Sequence, residues 1–144
     1  MDFVDTDVLI QIHRGKSLQQ IINESDYLNL RSIEEAEILK MDVKRHVIAT
    51  GGSAVYSSKA MQHLSRLSTV VFLKVSFAEI KRRIHNFETR GIAKAVNQTF
   101  KELYAERQVL YLRYAQLVIH CDNPTQDEIA EIVASSVQEL QAAL

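Results

Sequence analysis

Residues 45–55 read Arg-His-Val-Ile-Ala-Thr-Gly-Gly-Ser-Ala-Val, RHVIATGGSAV. The run 46–50, HVIAT, is short, mostly apolar and stops on two glycines. Such a run reads as a buried strand feeding a turn. Three further stretches behave alike. Residues 2–5, DFVD, are a short strand ending in acids. Residues 69–75, TVVFLKV, are continuous and Val-rich, as expected for a parallel strand covered on both faces. Residues 116–120, QLVIH, make a fourth strand. Helical patterns separate these strands, so the class is α/β with a parallel sheet.

The helices announce their own ends. TDVLIQIHR (6–14) follows an acid and stops at Gly15, a C-cap residue, and Ser17 is placed to N-cap the next helix. Ser57 or Ser58 caps SSKAMQHLSRL, and Ser76–Glu79 and Thr125–Glu128 have capping-box spacing. Residues 89–98, TRGIAKAVNQ, lack periodicity and read as a mobile loop. Residues 14–18, RGKSL, contain the Gly-Lys-Ser tail of a phosphate-binding loop, but the first glycine of G-x-x-x-x-G-K-[ST] would fall at Ile10. No Gly-rich turn is available there to converge backbone N–H groups on phosphates. The stretch is expected to be a helix–helix corner.

Composition sets limits. The 144 residues are one domain's worth, 47% hydrophobic and 24% charged, with one proline and four glycines. A net charge of −1 gives no case for nucleic acid or membrane partners. No apolar run is long enough to span a bilayer. The early acids of MDFVDTDVL and the absence of a basic n-region argue against a signal peptide. The single cysteine, Cys121, cannot form an internal disulfide, and a cytoplasmic location is expected. Cys121 is expected to be buried and inert, and the five histidines lack metal-ligand spacing.

Ligands in parallel α/β sheets bind outside the carboxyl ends of the strands. There the sequence offers Asp5 and Asp7, then Gly51-Gly52-Ser53, and Arg90 in the loop beyond the third strand's helix. Of two such acids, one can help hold Mg²⁺ and the other can accept a proton. The paired glycines admit a close approach to the backbone. Arg31, Arg90 and Arg107 are candidate forks for carboxylate or phosphate.

The order FVDTDVLI, GKSLQQII, LRSIEEAEIL, VIATGGSAV, VVFLKV, TRGIA and ERQVLYLRYAQLVI resembles the shikimate kinase family over essentially the whole chain. These small P-loop kinases transfer the γ-phosphate of ATP to the 3-hydroxyl of shikimate in aromatic amino acid biosynthesis. The resemblance implies a three-layer parallel fold with one domain over residues 1–144 and a lid at 88–98. It implies that Asp7 binds the shikimate hydroxyls and accepts the proton, and that Asp5 lies near Mg²⁺. Arg31 and Arg107 would grip the carboxylate, Glu34 would position Arg31, and Gly51 and Gly52 would form the substrate turn. Arg90 would reach the phosphates from the lid, and Arg83 would lie near the adenine. Ser53 stands where the family has a third glycine, Leu30 for the usual Phe, Val109 for a Pro, Gln116 for an acid, and RGIA for Arg-Pro-Leu-Leu.

In the family a strand, a glycine loop and a helix, about 25–30 residues, precede the DTD strand. The sequence given starts at Met1-Asp2-Phe3. The expectation is therefore a sheet of order 2-3-1-4-5 without its first, central strand. Such a polypeptide would be inactive alone, marginally stable and prone to self-association through the incomplete sheet, with ATP and Mg²⁺ as cofactors where the loop is present. Two other readings stay open: a non-catalytic relative that binds shikimate or a similar hydroxy acid, and a related kinase with another hydroxylated substrate.

Overall fold

The computed structural model describes residues 1–144 except 86 and 88–90. Strand β1 (Asp2–Asp5) leads into helices α1 (Thr6–Arg14), α2 (Leu18–Glu24) and α3 (Tyr27–Leu39). Strand β2 (His46–Ala49) ends at the glycines, followed by a 3₁₀ turn (Ala54–Tyr56) and α4 (Ser58–Leu67). Then come β3 (Val71–Lys74), α5 (Phe77–Arg83), α6 (Phe100–Tyr114), β4 (Leu117–His120) and α7 (Gln126–Ala142).

Local chemistry explains most boundaries. Asp5 accepts from the N–H groups of Asp7 and Val8 and starts α1, which Gly15 ends at φ +63°. That left-handed conformation suits a residue without a Cβ. Ser17 and Gln20 form a reciprocal capping box at α2, so Gly15-Lys16-Ser17 is a helix corner, with Lys16 paired to Glu24. Ser57, not Ser58, caps α4. Thr125 and Glu128 complete their box. At α5 only half of the expected box forms. Ser76 accepts from the Glu79 N–H, but the Glu79 carboxylate turns to Arg82 and Arg83 instead. A charge-assisted bond to guanidinium is stronger than one to a neutral N–H.

The strands make two separate two-stranded parallel sheets, β1–β2 and β3–β4, the pairs that flank the central strand in the expected order 2-3-1-4-5. Strands expected to be covered on both faces are open on one side, with Val47 51% and Leu73 50% exposed. A run of apolar residues reports what a strand would bury, not what neighbours are there to cover it.

The register aligns Asp5 with Ala49, so the first turn of α1 faces the Gly51–Gly52 turn. Helix α3 lies between two apolar clusters. Leu30 and Ile33 join Ile10, Ile21 and Ala93, whereas Ile38 joins Ala54, Ala60, Met61 and Leu64. Ile10 and Ile38 are fully buried, each stabilising the fold by roughly 2 kcal/mol. Glu34, on α3 between the clusters, is also buried. Among the described residues no helix is long and apolar enough to cross a membrane.

Candidate active site

A cavity of about 270 Å³ opens where α1, the turn after β2, α5 and α6 meet. Of the residues expected at a site, Asp7, Glu34, Gly51, Gly52 and Arg107 line it. The glycines are needed for space rather than for an unusual φ, since Gly15 and Gly91 are the glycines with positive φ. A Cβ on Gly51 would lie 2.6 Å from both Asp7 Oδ1 and Glu34 Oε1. A Cβ on Gly52 would lie 2.7 Å from Arg107 Nη1 and 2.8 Å from the Tyr111 hydroxyl. The space freed by the two glycines is thus taken by four functional groups of the chain itself.

The acids are held in unlike ways. Asp5 Oδ1 caps α1, accepting from Asp7 N at 2.9 Å and Val8 N at 3.3 Å. Asp7 sits in the first helical turn, where the helix dipole favours a carboxylate. Its pKa is nonetheless raised, first by burial and then by the Asp5 charge. Glu34 is only 2% exposed. Burial pushes its carboxyl up to about 7, and the Asp7 charge adds to this, while the Ser53 hydrogen bond, Arg107 and Arg31 pull the other way. The Ser53 hydroxyl donates to Glu34 Oε2. Glu34 Oε1 is buried without a partner.

The arginines converge on one backbone oxygen. Arg31 Nη2 donates to the Ala93 carbonyl at 3.1 Å, and Arg107 Nη2 to the same oxygen at 2.9 Å. The Nε atoms of both remain buried and unpartnered. The Arg31 guanidinium lies over the Tyr56 ring, 3.5 Å from its centroid. Arg31 does not itself line the cavity but meets the lining residues Ala93 and Arg107 at that shared carbonyl. The Tyr111 hydroxyl donates to the Gly52 carbonyl at 2.9 Å. Gly91 and Ala93 are packed rather than free: Gly91 N donates to Gln19 Oε1, and Ala93 is buried in the second apolar cluster. Arg83 donates to Glu79 and to the Cys121 carbonyl. Arg90 lies outside the described residues, as do residues 88–89 of the expected lid.

Sequence reasoning noted Ser53 as a departure but not as a partner of Glu34. It missed Tyr56, Ala93 and Tyr111 altogether. Tyr111 had a readable signal, since it lies four residues after Arg107 and therefore on the same face of α6. Ala93 had none, because its contribution is a backbone carbonyl.

Fold and cavity together define a class: a parallel α/β protein whose cavity is lined by two carboxyls, Asp7 and Glu34, and by Arg107, with Arg31 sharing a carbonyl with Arg107 beside it, a set suited to a small hydroxylated anion. Comparison narrows the class. The family model described as shikimate kinase matches residues 1–140. A shikimate kinase of Thermodesulfovibrio yellowstonii is 31% identical over 143 residues, spanning 96% of this chain and 82% of that protein. One from Caldanaerobacter subterraneus is 29% identical over 143 residues, spanning 97% and 83%. The solved shikimate kinase of Acinetobacter baumannii in complex with shikimate superposes with a TM-score of 0.83 at 22% identity, covering 96% of this chain and 79% of that one. The Aquifex aeolicus enzyme gives a TM-score of 0.75 at 22% identity, covering 98% and 83%. The chain belongs to the shikimate kinase family.

Members of this family use ATP and Mg²⁺. Among the described residues, no cluster of three or more His, Cys, Asp or Glu side chains could hold a metal alone. Mg²⁺ commonly takes one or two carboxylates and completes its shell with water and phosphate oxygens. Asp5, through the oxygen not used in capping, and Asp7 fit that partial role. The triphosphate is not fitted by the described residues: Gly15-Lys16-Ser17 is a helix corner and Arg83 is engaged elsewhere.

Proposed function

We propose that the cavity binds shikimate or a closely similar hydroxy acid as the phosphoryl acceptor of a shikimate kinase reaction. The observation that carries this reading is the pair of buried, unpartnered Nε atoms on Arg31 and Arg107, next to the single carbonyl they share. A buried donor without a partner costs about 1–3 kcal/mol. An incoming carboxylate would satisfy both donors and neutralise charge through forked bonds. Asp7, which lines the same cavity beside Gly51, is placed to accept a hydrogen bond from the acceptor hydroxyl. Its raised pKa makes it a better proton acceptor as that hydroxyl attacks. The walls of Ile10, Leu30 and Leu103 keep the acid-binding end apolar, which strengthens these contacts by excluding water.

ATP with Mg²⁺ is the phosphate donor in this reading, with Arg90 and the 88–98 segment as a lid; Arg83 would have to leave Glu79 and the Cys121 carbonyl to reach the base. A cytoplasmic setting belongs to the same proposal, as does self-association through open strand edges, which the split sheet favours. Binding without transfer is the second reading.

Calorimetry with shikimate tests the acid site. Arg107→Ala is expected to weaken binding at least tenfold, the scale of a lost charged hydrogen bond. Equal affinity in the variant would reject the proposal. A coupled ADP-release assay on the same preparation separates transfer from binding alone.

A further inference from the structure

We propose that Ser53 is a positioning residue that holds Glu34 as a second hydroxyl-reading carboxyl beside Asp7, and so sets which hydroxyl of the bound acid the site demands. The inference rests on the acid-binding reading above and adds a specificity determinant to it.

The backbone does not explain a serine at this position. Ser53 has φ −87° and ψ −7°, in the right-handed region open to any residue. What the position contributes is its hydroxyl. Glu34 lies three residues after Arg31 on α3, on the same helical face. A free carboxylate there would swing onto a guanidinium. Yet among the described residues no ion pair joins Glu34 to Arg31 or Arg107. Its Oε2 instead receives the Ser53 hydrogen bond.

That bond fixes the other oxygen. Glu34 Oε1 is left against Gly51, at the same 2.6 Å from a Cβ there as Asp7 Oδ1. Two carboxyls from different helices thus crowd one glycine, and Oε1 is buried without a hydrogen-bond partner. The groups facing Glu34 are Asp7 from α1, Arg31 from α3, Ser53 from the turn, and Arg107 and Tyr111 from α6. With Oε2 tied to Ser53, the arginines stay available for the ligand's carboxylate. Oε1 can then meet a hydroxyl next to the one that Asp7 takes. The neutral carboxyl that burial favours could donate a hydrogen bond as well as accept one.

The test is calorimetric binding of shikimate and its three mono-deoxy analogues to the 144-residue chain, with Ser53→Ala and Ser53→Thr, over a pH series. In the parent chain one analogue should bind markedly more weakly than shikimate. Ser53→Ala should weaken shikimate roughly three- to tenfold, the scale of one hydrogen bond. It should leave that one analogue unchanged, so the discrimination collapses. Because the Ser53 bond favours the ionised carboxyl, Ser53→Ala should also raise the pH midpoint of binding. Ser53→Thr keeps the hydroxyl and should restore both. Should Ser53→Ala not fold, Ser53→Cys, a weak donor of similar size, must show the same direction. Retained discrimination and an unmoved midpoint in Ala or Cys would overturn the proposal. Absence of shikimate binding by the parent chain would instead overturn the acid-binding reading.

Discussion

Protonation of Glu34 gives the sharpest stability prediction. Burial pushes its carboxyl from the ordinary 4.5 up to about 7 in the fold. The folded chain therefore holds this proton more tightly than the unfolded chain does. The resulting stability is fully present below about pH 4.5 and is lost as pH rises through about 7. At about 1.36 kcal/mol per pKa unit, raising the pH from about 5 to about 8 should remove roughly 2–3 kcal/mol. Glutamine keeps the shape and can still accept from Ser53 but does not titrate. Urea unfolding across this range should show the parent chain losing stability relative to Glu34→Gln, equivalent to a relative Tm fall of roughly 5–10 °C. Asp7 contributes in the same direction to both proteins, so the difference reports Glu34 together with its coupling to the Asp7 charge. Parallel curves for parent and variant would refute the reasoning, because a carboxyl with an ordinary pKa is ionised throughout most of this range.

Two other outcomes follow from the geometry. Gly51→Ala puts a Cβ 2.6 Å from both Asp7 Oδ1 and Glu34 Oε1. It should destabilise the fold by about 1–3 kcal/mol and reduce shikimate affinity at least tenfold, and a neutral result in both thermal unfolding and calorimetry would contradict the close packing. Lys16→Ala should leave nucleotide binding, followed with a fluorescent ATP analogue, unchanged, because Lys16 pairs with Glu24 at a helix corner. A large loss there would mean that Gly15-Lys16-Ser17 touches phosphate after all.

Much of this was legible in the sequence where the determining interactions are local. Caps act over three or four residues, so Asp5, Ser17, Ser57 and Thr125 mark where their helices begin. The end of α1 at Gly15 needed only the left-handed tolerance of glycine. The DTD and GGS stretches could be placed at neighbouring strand ends because a parallel sheet aligns those ends. Family membership was legible too, since it depends on residue order alone.

What remained hidden depends on distance in space. No pattern in GGS or in RSIEE says that the Ser53 hydroxyl, 19 residues from Glu34, would become its partner. The carbonyl of Ala93 is common to every residue type, so its selection by two arginines is invisible in one-letter code. The half-exposed faces of Val47 and Leu73 show the same limit from the opposite side. A sequence fixes which residues tend to be buried, because hydrophobicity and spacing are properties of the residues themselves. Only tertiary structure decides which groups meet, because burial, hydrogen bonding and pKa depend on what the rest of the fold brings within a few ångströms.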